Sequence, residues 1–202
     1  MDERRVYIVG RSGSGKSTLL QMLAEAPPPG RRGLLLDLKG DPLEDGGLYQ
    51  TSRTFLRVPP PSSLHTAEGP WFEFVGEWAA QVYQDGRTFL LVDEVSLCIR
   101  GNKPPPELVR LLILGRSRKI GWALATQRPV SVPPPVWAQA NEFAVFSLGH
   151  PRDLEVARDM GLTRDQVEQL PSLQWGEYFH VVPGLRTHLH RGATQQCAAA
   201  EF

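Results

Sequence analysis

Gly10-Arg11-Ser12-Gly13-Ser14-Gly15-Lys16-Ser17 spaces its residues as G-x-x-x-x-G-K-[ST]. Each residue type has a physical task at that spacing. Glycines let the backbone fold around phosphate groups, and the amides of the loop and of the helix that follows point at negative oxygens. Lys16 is placed to reach the β and γ phosphates of a nucleoside triphosphate, and Ser17 to hold Mg²⁺. Gly10, Arg11, Ser12, Gly13, Ser14, Gly15, Lys16, Ser17 and Thr18 are the nucleotide-binding candidates. The motif follows an apolar strand, Val6 to Val9, and opens a helix carrying Leu19, Leu20 and Leu23, which is the context such a loop requires.

A second apolar run, Thr88-Phe89-Leu90-Leu91-Val92, ends in Asp93-Glu94. A buried strand that delivers two adjacent carboxylates to its end supplies Asp93 to the Mg²⁺ shell and Glu94 to a water near the γ phosphate. A base for water points to hydrolysis rather than to simple nucleotide binding. A third strand, Trp122 to Thr126, ends in Gln127, where a polar side chain can sense the γ phosphate or orient the attacking water. ATP and Mg²⁺ are the expected ligands.

The elements that must position these residues are legible as short apolar runs alternating with helical patterns, the mark of an α/β sheet flanked by helices. Strands are expected at Val6 to Val9, Leu34 to Leu38, Phe89 to Val92, Trp122 to Thr126, Phe143 to Leu148 and Tyr178 to Val182. Most are continuously apolar, as parallel strands covered on both faces are. Helices are expected from Gly15 to Ala24, Trp71 to Tyr83, Pro106 to Arg116, Pro151 to Met160 and Thr163 to Leu170, the last opened by a Thr163/Gln166 capping box. Pro/Gly-rich loops fall at 27–33, 59–63, 101–106 and 132–135, between elements of one domain.

The 202 residues, 41% of them hydrophobic, suit one packed domain over 1–197, with a disordered tail over 198–202. No run is long enough to span a membrane, and the charged start MDERR is unlike a signal sequence, so a soluble intracellular protein is expected. Cys98 and Cys197 lack the spacing of a metal site and read as free thiols, Cys98 near the core. Zero formal net charge excludes a broadly basic nucleic-acid-coating surface but leaves room for a local basic path. A GTPase would carry an Asn-Lys-x-Asp motif and an ABC ATPase a Ser-Gly-Gly signature; the sequence has neither.

Residues Arg116 to Asn141 hold ATQRP after a strand, a Pro-containing loop, then Gln139-Ala140-Asn141 before the strand Phe143 to Leu148. With Gly10 to Ser17 and Leu91 to Glu94, this stretch resembles the FtsK/HerA superfamily of DNA-pumping ATPases. Within it the chain is similar to the small genome-packaging ATPases of tailless, internal-membrane-containing viruses. These share the further patterns seen here as His150-Pro151-Arg152-Asp153-Leu154-Glu155 and Leu170-Pro171-Ser172-Leu173-Gln174-Trp175-Gly176-Glu177-Tyr178-Phe179. The resemblance implies a RecA-like P-loop domain with a mainly parallel central sheet. It assigns phosphate and Mg²⁺ binding to Lys16 and Ser17, the second acidic site to Asp93 and Glu94, and the polar sensor to Gln127. It places an arginine finger eleven residues before Gln127, at Arg116, with Arg118 as the alternative. The implied activity is ATP-driven translocation of double-stranded DNA by a hexameric or pentameric ring, in host cytoplasm or with the virion. Capsid-vertex or viral membrane proteins are further implied partners.

Two loops at strand C-terminal ends are candidate DNA contacts. One holds Arg100 and Lys103, and the other holds Lys39. Competing readings are a cellular or plasmid DNA translocase and a small P-loop nucleotide or metabolite kinase. The kinase would not need the Glu94, Arg116 and Gln127 set.

Overall fold

A computed structural model describes residues 3–39, 49–52, 55–58 and 70–191. The elements run β1 (Arg5–Val9), α1 (Lys16–Glu25), β2 (Arg32–Asp37), β3 (Tyr49–Ser52), β4 (Phe55–Val58), α2 (Pro70–Asp85) and β5 (Thr88–Asp93). They continue with α3 (Pro106–Leu114), β6 (Gly121–Thr126), α4 (Pro134–Trp137), β7 (Glu142–Phe146), α5 (Pro151–Asp159), α6 (Arg164–Gln169), β8 (Tyr178–Val181) and β9 (His188–His190). The expected tail, the 59–63 loop and Cys197 lie outside the described residues.

The strands form one sheet in the order β3-β4-β2-β5-β6-β1-β7-β8-β9. From β4 to β7 every pairing is parallel, while β3, β8 and β9 pair antiparallel at the two margins. Alternation along each strand divides the core between the two faces. Val6 and Ile8 of β1 pack with Leu19, Leu20 and Leu23 of α1, whereas Tyr7 and Val9 join the cluster that holds Leu108, Leu111 and Leu112 of α3. Burying each of the three α1 leucines contributes about 1.5–3 kcal/mol, which fixes the start of α1 against the sheet. The preceding loop is thereby held in place.

Boundaries differ from expectation where local chemistry intervenes. The helix expected over Pro106 to Arg116 ends at Leu114, and residues 115–118 tighten into a 3-10 turn. Ser117 Oγ donates to Leu114 O there, drawing the backbone away from α-helical bonding. Thr163 and Gln166 form the expected reciprocal capping box. Cys98 is a free, fully buried thiol beside Val95 O, and burial pushes its pKa up to about 12. Among the described residues no helix is long and apolar enough to cross a membrane.

Candidate functional site

All the parallel strands carry their C-terminal ends to one edge of the sheet, and the predicted chemistry gathers there. After β1 the chain turns at Gly10, where a Cβ would lie 2.5 Å from Phe146 Cβ and 2.8 Å from Ser14 Oγ, so no other residue fits. Gly10 N donates to Thr126 O and Arg11 N to Ser147 O, which ties the loop to the ends of β6 and β7. Gly15, at φ +110°, takes a left-handed conformation that a side chain would strain. Lys16 is 3% exposed, and its Nζ donates to Arg11 O at 2.9 Å, so the ammonium folds back over the loop. Burial pushes its pKa down to about 8, Lys39 adds to the shift, and Glu94 and Asp93 oppose it. A buried cation folded over a glycine-rich loop is suited to a polyanion.

Beside the loop, β5 ends in the two acids. Ser17 Oγ donates to Asp93 Oδ2 at 3.0 Å, so the hydroxyl and carboxylate expected to share a cation do meet. Asp93 Oδ1 is buried, and the Lys39 ammonium lies 3.1 Å from it without a well-directed hydrogen bond. A hydroxyl and a carboxylate that already attracts a cation are hard oxygen donors that fit Mg²⁺, and Ser17 and Asp93 are the residues that would hold it.

Glu94 is held differently. Its backbone adopts φ 61°, ψ 58°, a left-handed conformation costing about 1–3 kcal/mol outside glycine. Three donors fix its carboxylate through one oxygen. Oε1 accepts from Ser96 Oγ at 2.6 Å, Thr126 Oγ1 at 2.9 Å and Gln127 N at 3.0 Å. Oε2 is buried and accepts none. Burial alone would raise the Glu94 pKa, but the bonds from Ser96, Gln127 and Thr126, with the charge of Lys39, hold it below its ordinary value. The side chain is therefore an oriented carboxylate whose second oxygen takes no hydrogen bond and meets Lys39 Nζ at 3.7 Å.

The strand order explains how Gln127 arrives. β6 lies between β5 and β1, so the residue after its last strand position stands between the acids and the phosphate loop. Gln127 lines the cavity of about 180 Å³ formed with residues 12–18, Lys39 and Trp175. Next to it, Arg128 Nε donates to the buried Asp153 at 2.8 Å, and Val130 N donates to the same carboxylate, which pins this loop to α5.

The structure redirects one expectation. Lys39, read from sequence as a DNA-facing cation, points its Nζ to 3.1 Å from Asp93 Oδ1 and 3.7 Å from Glu94 Oε2. Its charge is committed to the phosphate cavity because β2 is the direct neighbour of β5, with Asp37 in register with Asp93. Arg100 and Lys103 do sit on an exposed turn, closed by reciprocal backbone bonds. There Arg100 pairs with Glu73 at 2.7 Å and lies over the Phe72 ring.

Arg116 is exposed in the 3-10 turn that precedes β6. That places it at the opposite end of β6 from Gln127, about 20 Å away at roughly 3.3 Å per strand residue. Arg118, in the same turn, donates to Gln84 O at 3.1 Å and stacks on Tyr83, so it braces α2.

Four contributors escaped sequence reasoning. Ser96 and Thr126 orient Glu94, Asp153 anchors the Gln127 loop, and Trp175 walls the phosphate cavity. A hydroxyl two residues past the acid pair and an isolated Trp-Gly step were the available signals. A further cavity of about 340 Å³ lies at the opposite edge among residues including Leu34, Leu56 and Trp78, and none of the motif residues lines it.

A sequence-family model described as ABC transporter matches residues 2–59, a segment that holds the phosphate loop but ends ahead of Asp93 and Gln127. No curated protein sequence matches. Solved structures match along nearly the whole chain. The genome packaging NTPase B204 from Sulfolobus turreted icosahedral virus 2, in complex with sulfate, is 20% identical over 96% of this chain and 98% of its own, with a TM-score of 0.67. The same protein in complex with ATP-gammaS is 22% identical over 94% of this chain and 98% of its own, also at 0.67. VirB4 of Thermoanaerobacter pseudethanolicus is 12% identical over 95% and 90%, at 0.69. The chain has the P-loop NTPase fold that these proteins share.

Proposed function

We propose that this chain is an ATPase that drives double-stranded DNA, in a ring of its own copies, into a preformed viral capsid. The observation that carries the reading is Glu94, whose carboxylate is aimed beside a phosphate loop by three hydrogen bonds to one oxygen while Oε2 accepts none. Residues 10–18 wrap the triphosphate of ATP, and Lys16 neutralises the β and γ phosphates. Ser17 and Asp93 would hold Mg²⁺, which would neutralise charge on the transferring phosphoryl group. Glu94 Oε2 accepts a proton from a water as the water oxygen bonds to the γ phosphorus. The bond from that phosphorus to the β–γ bridging oxygen breaks, and ADP leaves. Gln127 orients the water from the other side.

Arg116 completes the site between subunits. With β6 separating it from its own cavity, it can serve a neighbour's γ phosphate, and Ile113 and Leu114, both 49% exposed beside it, supply an apolar surface for that neighbour. Arg100 and Lys103 bind the DNA backbone without reading sequence, as a motor that must move every sequence requires. The fold likeness to a viral packaging NTPase over almost the full length of both chains supports the capsid reading, and with it a place in host cytoplasm or at the virion, next to vertex or membrane proteins. The likeness to VirB4 supports a second reading, the same chemistry in a cellular or plasmid DNA translocase.

Phosphate release measured with and without double-stranded DNA tests the motor. DNA should stimulate release severalfold. An unchanged rate, with phosphate passed instead to a small acceptor, would identify a kinase.

A further inference from the structure

Trp175 is the largest exposed hydrophobic side chain next to the phosphate loop, with 58% of its surface in solvent. Leaving an aromatic of this size in water beside a polar cradle forgoes the burial that tryptophan otherwise finds. Its backbone is nevertheless firmly placed. Residues 174–177 form a tight turn in which Glu177 N donates to Gln174 O at 3.1 Å and Gln174 N donates to Glu177 Oε2 at 2.9 Å. Gly176, at φ +80°, occupies the turn position that needs a positive φ. The same glycine locks the turn onto the loop, because its N donates to Ser14 O at 3.0 Å. It also packs so closely that a Cβ on Gly15 would lie 3.3 Å from Gly176 Cα. Beneath both, the rings of Phe146 and Tyr178 pack with centroids 4.8 Å apart at a tilt of 31°, and Phe146 Cε1 lies 3.3 Å from where a Gly15 Cβ would be.

The turn thus fixes the backbone that carries the indole, and Trp175 lines the phosphate cavity with residues 12–18, Lys39 and Gln127. Those side chains and amides suit phosphate oxygens and the metal, and Lys39 is already paired with the acids. What Trp175 offers is a π-face. We propose that Trp175 is the platform on which the nucleotide base stacks, so that the site takes purine nucleoside triphosphates by phosphate charge and base face, without reading the base edge. The proposal deepens the ATPase reading and rests on its phosphate loop. Stacking is tolerant of base identity because every base has a π-face, and the larger purines gain more from it. Adenine and guanine should thus bind within about threefold of each other, and uracil about three- to tenfold more weakly.

Calorimetric titration of the intact chain with ATP, GTP, UTP and inorganic tripolyphosphate, in the presence of Mg²⁺, separates base from phosphate. Trp175→Ala should weaken ATP and GTP about tenfold, the scale of one base–aromatic stack, and leave tripolyphosphate within about twofold. Trp175→Phe should restore most of the lost affinity. Lys16→Ala serves as the control, because it should weaken all four ligands together. Unchanged ATP affinity in Trp175→Ala, while Lys16→Ala loses it, would overturn the base platform and leave the phosphate loop standing. An equal loss of tripolyphosphate in Trp175→Ala would also overturn the proposal, since the residue would then only brace the loop. Failure of the unaltered chain to bind ATP or tripolyphosphate would overturn both readings at once.

Discussion

Two glutamates at opposite edges of the sheet, the buried Glu94 and the part-buried Glu142, show what separates a carboxylate kept for chemistry from one kept for structure. Both are pulled below the ordinary carboxyl value against the burial that would raise them. Glu142, at the start of β7, has both oxygens occupied. Arg4 Nε lies 3.1 Å from Oε1 and 3.2 Å from Oε2, and His180 Nε2 lies 3.3 Å from Oε2. Its charge is balanced by a cation inside the pair, leaving nothing directed outward. Glu94 has one oxygen saturated by three uncharged donors and the other without a hydrogen bond, on a backbone in a strained conformation. Neutral donors hold the group in place, and the Lys39 Nζ contact on its other oxygen, at 3.7 Å, is longer than the contacts that close the Glu142 pair. Saturation of both oxygens marks support, and saturation of one marks function.

Substitutions should divide along the same line, turnover at one edge and stability at the other. The largest effect is expected at Lys16. Lys16→Ala should abolish measurable phosphate release and weaken ATP binding at least about tenfold, because its ammonium is the one buried against the loop while Lys39 is paired with the acids, and the thermal midpoint should stay near that of the unaltered chain.

Arg116 sharpens the comparison, since it lies at the structural edge yet should behave like a residue of the site. Arg116→Ala should retain ATP binding and lose about 10³- to 10⁵-fold in hydrolysis, the range of fingers supplied in trans. Mixing it with Lys16→Ala should recover part of the activity, because one mixed interface joins an intact loop to an intact arginine. A mixture that stays inactive although mixed oligomers form, with Arg118→Ala inactive alone, would assign the finger to Arg118.

A smaller effect, of the other kind, is expected at Glu142. Glu142→Gln removes the carboxylate charge that faces the part-buried Arg4 and His180 and should destabilise the fold by about 3 kcal/mol in denaturant titration. Hydrolysis per folded chain should be unchanged. Loss of turnover at full stability would break the division.

The smallest effect is in acid. A carboxyl whose folded pKa lies below its ordinary 4.5 contributes stability that is fully present above that value and lost as pH falls through the lowered one. The stability gap between the unaltered chain and Glu142→Gln should therefore be constant above about pH 5 and shrink below 4.5. A gap that widens in acid would contradict the pairing.

Sequence reading reached one edge more fully than the other. The loop, the acid pair and Gln127 are strand-end residues, and continuous apolar runs announce such strands. β3 and β4 escaped because the run Tyr49-Gln50-Thr51-Ser52-Arg53-Thr54-Phe55 carries no apolar continuity, and their pairing shifts register between Gln50 and Ser52. β9 escaped because three residues, His188-Leu189-His190, set no pattern. Lys39 was placed at the correct edge, but which ligand a strand-end lysine faces depends on which strand lies beside it, and adjacency of β2 to β5 is a tertiary fact. The same holds for Ser96 and Thr126, which are ordinary residues until the fold brings them to one carboxylate oxygen.

The central claim is that Glu94 acts as the base through Oε2, and it is tested most directly by single-turnover phosphate release from Glu94→Gln, with ATP affinity measured on the same protein. Glutamine keeps the shape and an acceptor oxygen for Ser96, Thr126 and Gln127 but cannot take the proton. The expected result is ATP affinity within about threefold of the unaltered chain and release slowed by about 10²- to 10⁴-fold. Release at a near-normal rate with binding intact would contradict the account.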